Sequence, residues 1–257
     1  DDKSLCIVFN GEIYNYKEIE SELRKDKPGL KLFSNSDTEI LLKSYEQWGE
    51  RCLEKLNGMF AFAIMNLCTG EIFAARDRLG IKPFYYSLIN DGLIFASEIK
   101  AIFKSGLIKA EPDVQSLKTQ MHYQVAPNTG FKRIFKLAAG HFLKFNSIKE
   151  QNTDVVIIKW WEINVGENCD KTEEELIDEL DNLLNDSVKL QLTSDVPVGI
   201  LLSGGLDSSI IAALMRKHYK GEINAFTIKF SHEDQKFEKM EDDSIWAKKV
   251  ADLFELN

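Results

Sequence analysis

The 257-residue chain is poor in cysteine, and its four cysteines are scattered. They are Cys6, Cys52, Cys68 and Cys169, and no two of them have CxxC spacing. This spacing predicts neither a disulfide framework nor a Cys-rich zinc site. We expect reduced and mostly buried thiols instead.

Long apolar runs and an excess of basic residues are also missing. No run approaches the roughly 20 residues that span a bilayer, and the opening Asp1-Asp2-Lys3-Ser4 has no basic n-region of a signal peptide. Lys and Arg total 32 against 41 Asp and Glu, a net charge of −9. Duplex DNA and anionic membranes both require a basic face. We therefore expect a cytoplasmic protein that binds neither nucleic acid nor membrane.

What the chain does have is a globular composition with two successive patterns. The first half shows short strands and turns, with hairpins predicted around Cys68-Thr69-Gly70 and Asn90-Asp91-Gly92. The second half alternates strands and helices, which is typical of a parallel sheet. Its elements are predicted at 196–202, 208–217, 225–230 and 243–254. The polar stretch 146–170 is interpreted as a crossover between domains at 1–145 and 171–257.

Several polar residues are placed to begin helices. Ser36 with Glu39, and Thr172 with Glu175, have the form of capping boxes. Ser97 is expected to cap a short helix. In the last predicted helix, Trp246, Val250 and Leu253 are expected to face inward.

The strongest local motif is SGGLDSS at residues 203–209, between an apolar strand and a helix. Its two glycines permit a tight turn and close approach of the backbone to a ligand. Their N–H groups and the helix N-terminus would form a nest for an anion. Asp207 would repel a phosphate unless a divalent cation bridges the two groups. The alternative is a Gly-rich structural turn with Ser208 as N-cap.

This motif resembles the PP-loop of the ATP-pyrophosphatase superfamily. Four further stretches resemble the class II glutamine amidotransferase domain: FNGEIYN at 9–15, SDTE at 36–39, ARDRLGIKP at 75–83 and ASEIK at 96–100. In this order, over essentially the whole chain, they are similar to the glutamine-hydrolysing asparagine synthetase family. The resemblance implies an incomplete N-terminal-nucleophile-type layered α/β glutaminase domain, followed by the start of a PP-loop parallel-sheet α/β domain.

The resemblance assigns glutamine binding to Asn10, Gly11, Glu12 and Asp37. The Asn10 amide and an adjacent backbone N–H are the two donors that an oxyanion hole needs, and the alternative is an Asn-Gly hairpin turn. Glu12 and Asp37 would hold the α-ammonium of glutamine. Asp37 is otherwise an acid favoured by the dipole at a helix start.

In the second half, the resemblance implies a site for ATP with Mg²⁺, the metal at Asp207. The ATP-binding residues would be Leu201, Ser203, Gly204, Gly205, Asp207, Ser208 and Ile228. Leu201 and Ile228 would enclose the adenine, and the alternative is that both are core strand residues. In the first half, Arg76 and Asp77 are interpreted as a structural ion pair.

One departure from the family concerns the nucleophile, a Cys at the mature N-terminus whose α-amine acts as base. Here the first residue is Asp1, and Cys6 lies inside an apolar strand. We therefore expect a fragment cut at both ends, which by itself neither hydrolyses glutamine nor completes amidation.

The whole enzyme implied by the resemblance has two half-reactions joined by an ammonia channel. Glutamine gives glutamate and ammonia, and ATP with aspartate gives β-aspartyl-AMP, which ammonia attacks. The implied partners are glutamine, ATP and aspartate or another carboxylate, with homodimerisation left open. The alternatives are a family member that acts on a sugar carboxylate of surface polysaccharide, a β-lactam synthetase-like ligase, or a non-catalytic regulatory homologue.

Overall fold

The computed structural model describes residues 4–89, 92–119, 125–147, 155–166, 170–194, 196–229 and 242–257. The chain forms two compact units, Asp1–Val165 and Gly166–Asn257. Within the described ranges, no helix is both long and apolar enough to cross a membrane. The predicted turn residues Asn90 and Asp91, the strand end at Phe230, and Cys169 lie outside the described residues.

The first unit contains two sheets with antiparallel pairing. Their strands are β1 (Leu5–Ile13), β2 (Gly58–Asn66), β3 (Glu71–Arg76), β4 (Tyr85–Ile89), β5 (Gly92–Ala96), β6 (Phe135–Lys136), β7 (His141–Asn146) and β8 (Val156–Lys159). The larger sheet has the order β1-β2-β3-β7-β8 and the smaller has β5-β4-β6. Because β2 pairs with β3, and β4 with β5, both predicted hairpins are confirmed.

The described residues of the first unit also form five short α-helices and one 3₁₀ turn, Gly49–Arg51. The α-helices are α1 (Tyr16–Asp26), α2 (Asp37–Trp48), α3 (Cys52–Lys55), α4 (Ile99–Lys104) and α5 (Val114–Thr119). The capping box predicted for α2 is half present: the Ser36 hydroxyl accepts the N–H of Glu39 at 3.3 Å. The Glu39 carboxylate binds the N–H groups of Phe33 and Ser34 instead of that of Ser36. The cap fixes where α2 begins and so places Asp37 in its first turn.

The larger sheet is a central layer between two hydrophobic cores. Successive residues of a strand point to opposite faces, so Phe60 and Phe62 pack with α1 and α2. Ala61 and Ala63 face the smaller sheet, where they pack with Phe84. Burying each phenylalanine contributes roughly 1.5–3 kcal/mol. The first unit is therefore a layered α/β structure, and the predicted α/β class is confirmed.

In the second unit, the described residues form parallel strands and three helices. Its elements are α6 (Glu173–Gln191), β9 (Gly199–Leu201), α7 (Leu206–His218), β10 (Asn224–Phe226) and α8 (Asp243–Leu253). β9 and β10 pair in parallel, as the alternation of elements predicts. The capping box of Thr172 and Glu175 begins α6 and is confirmed.

The prediction for the inward face of α8 is wrong at two positions. Trp246 and Leu253 are exposed, whereas Ala247 is buried in the core of this unit and Val250 packs against that core. The reason is close packing against residues 203–209, since a Cβ at Gly204 would lie 2.5 Å from the backbone nitrogen of Ala247. That approach leaves no space for a large side chain on the inner face of α8.

The expectation of mostly buried cysteines is also wrong. Cys52 is buried, but Cys6 and Cys68 are exposed. Cys6 lies on β1, the outermost strand of the larger sheet among the described residues. Cys68 lies in the exposed hairpin turn between β2 and β3.

Candidate functional site

Asn10 and Gly11 lie inside β1 rather than at its end. Asn10 pairs with Ala61, Gly11 pairs with Phe60, and the strand continues to Ile13. The alternative of an Asn-Gly hairpin turn is therefore excluded.

Glycine is required at position 11 because β1 and β2 approach very closely there. A Cβ at Gly11 would lie 2.2 Å from the carbonyl oxygen of Met59 and 2.8 Å from the Cα of Phe60. The same close approach is found from the β2 side at Gly58, where a Cβ would lie 2.2 Å from the carbonyl oxygen of Glu12. The two glycines together let the strands meet at this point.

The backbone N–H of Gly11 is directed toward the side of β1 that faces away from β2. Both backbone groups of Phe60 bind Asp77 instead of Gly11, with distances of 3.2 Å for its N–H and 2.8 Å for its carbonyl. Gly11 and Phe60 are thus a non-hydrogen-bonded pair, whose N–H groups point outward. Ile13 lies two residues further along β1, so its N–H points to the same side as that of Gly11, and it binds Asp37 there.

Asn10 places its side-chain amide on the face of β1 that looks toward the smaller sheet. Its Nδ2 donates to the hydroxyl of Ser97 at 2.9 Å. Both residues line a cavity of about 80 Å³. The expectation that Ser97 caps a helix is wrong, because the N-cap of α4 is Glu98, without a side-chain capping bond.

The two predicted carboxylates lie next to this stretch. Asp37, in the first turn of α2, accepts the N–H of Ile13 at 3.0 Å through Oδ2. Glu12 is partly buried on β1, and its charge adds to burial, the main cause, in raising the pKa of the Tyr14 phenol. The structure thus places Asn10, Gly11 and Glu12 at consecutive positions of β1, with Asp37 beside Ile13 of the same strand.

Arg76 and Asp77 bind backbone groups rather than each other, so the interpretation as an ion pair is wrong. Neighbouring residues on an extended chain point in opposite directions and do not readily meet. Arg76 donates to three carbonyl oxygens, those of Lys82, Leu137 and Gly80. Burial lowers the pKa of Arg76, and the charge of Asp77 opposes that shift.

Asp77 is the centre of a network that the sequence did not reveal. Its carboxylate is 1% exposed and accepts four backbone N–H groups, from Phe60, Leu79, Ile81 and Lys82. It thereby ties the loop after β3 to the residue that faces Gly11. An Asp before a Gly-containing turn is the signal that indicates such a carboxylate–backbone turn.

Two other features of the first unit are separate from this stretch. Burial raises the pKa of the Cys52 thiol to about 12, so Cys52 is protonated at neutral pH and is not a thiolate nucleophile. A larger cavity of about 550 Å³, lined by Leu5, Ile7 and residues of α2, lies on the opposite face of the larger sheet. It contains none of the predicted site residues.

In the second unit, residues 203–209 form a turn from β9 into α7. Gly204 has φ +80°, and a Cβ there would lie 2.5 Å from backbone atoms of Trp246 and Ala247. Gly205 is the N-cap of α7, so the alternative with Ser208 as N-cap is wrong. A Cβ at Gly205 would meet only the Ser203 hydroxyl, at 3.4 Å.

The polar groups of this loop converge at the start of α7. The Ser203 hydroxyl lies 3.1 Å from that of Ser208 and accepts the N–H of Gly205 at 3.3 Å. Helical bonding begins with the N–H of Ser209 on the carbonyl of Gly205, at 3.0 Å, so the amides before it precede the helical ladder. Asp207 is exposed and makes no hydrogen bond or ion pair with any residue that the structure describes.

Leu201 and Ile228 are exposed rather than buried in the core. Their exposed fractions are 81% and 76%, so the alternative of ordinary core residues is contradicted. Leu201 is the register partner of Phe226, which is 59% exposed and stands two residues before Ile228. Phe226 is therefore an apolar neighbour of Leu201 that no motif in the sequence indicates.

The loop at 203–209, with Leu201 and Ile228, suits a nucleotide better than a metal ion held only by protein side chains. Among the described residues, no group of three His, Cys, Asp or Glu side chains is placed to hold a metal ion. The loop instead offers backbone N–H groups, hydroxyls and one carboxylate, the donor set for a phosphate together with its cation. Mg²⁺ usually binds through one or two carboxylates plus substrate phosphates.

Residues 1–161 match the glutamine amidotransferase domain family. The chain belongs to this family. Residues 179–257 match the asparagine synthase family, so one chain carries both matches. The resemblance inferred from the motifs is therefore confirmed.

The relatives of the chain are longer proteins. "Asparagine synthetase [glutamine-hydrolyzing] 3" of Bacillus subtilis is 36% identical, over 96% of this chain and 41% of the relative. "Asparagine synthetase [glutamine-hydrolyzing] 1" of the same organism is 35% identical, over 91% and 36%. "Amidase chry2" of Gibberella zeae is 34% identical, over 81% and 30%. The chain thus spans less than half the length of these relatives.

Proposed function

We propose that the chain is part of an enzyme that uses glutamine and ATP to convert a carboxylate into an amide. The observation that carries the proposal is the pair of donors on β1, the Asn10 amide and the outward N–H of Gly11. The two family matches in one chain support the combination of glutaminase and ligase chemistry.

The first unit would bind glutamine and release ammonia from it. Asn10 and Gly11 supply two N–H donors from adjacent residues, which suits the oxyanion of a tetrahedral intermediate. Glu12 and Asp37 supply negative charge for the α-ammonium. The enzyme's nucleophile, a Cys in the family, would attack the amide carbon and release ammonia, and water would then hydrolyse the acyl-enzyme, so that glutamine and water give glutamate and ammonia.

The second unit would bind ATP and activate the carboxylate. The turn at 203–209 holds the phosphates through N–H groups and hydroxyls, and Leu201 with Ile228 gives an apolar contact for adenine. Mg²⁺ would be held by Asp207 and would neutralise phosphate charge. Aspartate and ATP give β-aspartyl-AMP and pyrophosphate, and ammonia then gives asparagine and AMP.

Aspartate is the proposed acceptor because two relatives carry the name asparagine synthetase. A second candidate is another carboxylate, favoured by the relative with the name amidase at 34% identity. Homodimerisation, a cytoplasmic location and the domain limits at 1–145 and 171–257 stay predictions.

The full-length protein should be incubated with amide-¹⁵N glutamine, ATP and Mg²⁺, with and without aspartate. Labelled asparagine formed together with AMP and pyrophosphate supports the proposal. Release of AMP and pyrophosphate with a different carboxylate, and none with aspartate, selects the second candidate. Formation of ADP and phosphate, or no consumption of ATP with any carboxylate, contradicts the ligase assignment.

Asp207→Asn is expected to weaken MgATP binding about tenfold, or ~1.4 kcal/mol. The carboxylate in the loop repels phosphate unless a cation intervenes, so binding of metal-free pyrophosphate should stay equal or improve. Isothermal titration of both ligands measures the difference. Asp252→Asn is the matched control, since it removes an equal charge from an exposed site on α8. Equal MgATP affinity in the Asp207 variant and the wild type would contradict the metal role.

Gly205→Val is expected to weaken both MgATP and pyrophosphate, because the added side chain blocks the approach of phosphate to the loop. Gly205→Ala is the graded comparison, since φ is −72° and its Cβ makes only an ordinary contact with Ser203. The same titrations, with melting temperatures beside them, separate loss of binding from loss of folding. Lower melting temperatures with unchanged affinity would make the loop a purely structural turn.

A further inference from the structure

One hydrogen bond joins the two sheets of the first unit at the predicted glutamine site. Asn10 lies on β1 of the larger sheet, and Ser97 directly follows β5 of the smaller sheet. The Asn10 Nδ2 atom donates to the Ser97 Oγ atom at 2.9 Å. Because Glu98 is the N-cap of α4, the Ser97 hydroxyl is not used to begin that helix.

The surroundings of this hydrogen bond are apolar. The cavity that Asn10 and Ser97 share is also lined by Ala61, Phe84 and Phe95. The rings of Phe84 and Phe95 stack with their centroids 5.4 Å apart, so this side of the cavity is closely packed. A hydrogen bond in such a low-dielectric place is stronger than one in water and has few competing donors.

The orientation of the carboxamide decides whether Asn10 can stabilise an oxyanion. A carboxamide has an NH₂ end with two donors and an oxygen end that only accepts. Only the NH₂ end can stabilise an oxyanion, and a rotation about the last side-chain bond would present the oxygen instead. The bond to Ser97 uses one of the two Nδ2 hydrogens and leaves the second one for a ligand.

We propose that Ser97 is a positioning residue that holds the NH₂ end of Asn10 ready for the oxyanion of the glutamine amide. This inference rests on the proposed glutaminase function. The proposal gives a role to Ser97 of the ASEIK stretch, whose hydroxyl does not cap α4. Ser97 acts through Asn10, so its effect should appear in the transition state and not in glutamine binding.

The test uses the full-length protein and measures glutamate release from glutamine. Removing an oxyanion donor itself costs about 10²–10³ in kcat. Ser97→Ala removes only the group that holds the donor, so we expect about a tenfold lower kcat, or ~1.4 kcal/mol, with KM changed less than about twofold. Ser97→Thr keeps the hydroxyl and should restore most of the rate.

Ser105→Ala is the matched control. It removes a serine hydroxyl that bonds to the carbonyl of Ile102 at 2.6 Å, at the far end of α4, and should leave kcat unchanged. Wild-type kcat in Ser97→Ala would overturn the proposal, as would an equal loss in Ser105→Ala. If Ser97→Ala does not fold, Ser97→Cys keeps the volume with a weak acceptor, and the same tenfold loss is expected.

A double-mutant cycle separates this proposal from the glutaminase assignment. If Ser97 acts through Asn10, adding Ser97→Ala to Asn10→Ala should lower kcat no further. An additive loss would overturn the positioning role while the loss in Asn10→Ala alone still supports the oxyanion hole. Wild-type kcat in Asn10→Ala would overturn the oxyanion hole, and the role of Ser97 with it.

Discussion

Asn10→Ala is expected to reduce the kcat of glutamine hydrolysis by about 10²–10³, because it removes one of the two proposed oxyanion donors. The β1 backbone should be unaffected, since Asn10 pairs with Ala61 through main-chain groups. Amide formation from added ammonium chloride does not use this site and should keep its rate. The two rates should be measured on the same preparation of full-length protein.

Asn66→Ala provides the control for this loss. Asn66 ends β2, and its side chain accepts the N–H groups of Cys68 and Thr69 in the hairpin turn. Its replacement should cost stability but leave the glutaminase rate unchanged. Parallel loss of the glutamine- and ammonia-dependent rates in Asn10→Ala would point to general damage and argue against the oxyanion role.

Asp77→Ala is expected to lower the free energy of unfolding by about 3–5 kcal/mol, because it leaves several buried N–H groups without an acceptor. Four amides lose their partner at once, from Phe60 on β2 and from the loop after β3. Hydrogen exchange measured by mass spectrometry should show lost protection in two peptides, 58–62 and 78–82. Urea unfolding gives the accompanying free energy.

Asp113→Ala is the comparison for Asp77. Among the described residues, the Asp113 carboxylate accepts one N–H, from Ser116 at the start of α5, at 3.1 Å. Loss of such a cap typically costs about 1 kcal/mol. Equal destabilisation by the two replacements, or unchanged exchange at 58–62, would show that Asp77 is not the centre of the network.

Local patterns predicted the elements that depend on neighbours in sequence. Capping residues placed the starts of α2 and α6, and turn residues placed the β2–β3 hairpin. Such signals act over a few residues, so the sequence shows them directly. The alternation in the second half likewise predicted the parallel pair β9 and β10.

Contacts between distant residues could not be predicted in this way. The sequence favoured Ser97 as a cap, but its hydroxyl binds Asn10, which is 87 residues away. The sequence favoured Trp246 as an inward residue. Because Gly204 approaches α8 closely, the small residue Ala247 is buried there instead. In both cases tertiary packing overrides a correct local preference.

Motifs in the sequence named residues of the candidate site, and their assignment to glutamine stays a prediction. The structure places Asn10 and Gly11 inside β1, with Asp37 beside Ile13 of the same strand. The outward direction of the Gly11 N–H follows from the β1–β2 register, and Asp77 binds the backbone of Phe60 from the other side of β2. A motif specifies residue types, but the direction of a backbone group depends on strand register.

The bond between Asn10 and Ser97 also bears on the order of folding. Closing a loop of 87 residues costs more entropy than closing the short β2–β3 turn, so contacts of that range form after local hairpins have lowered the cost. During synthesis, Asn10 is added to the chain well before Ser97. The Asn10 amide, unlike the Gly11 N–H that the β1–β2 register directs, would therefore be among the last parts of the first unit to reach its native arrangement, after the sheet that carries it has begun to form.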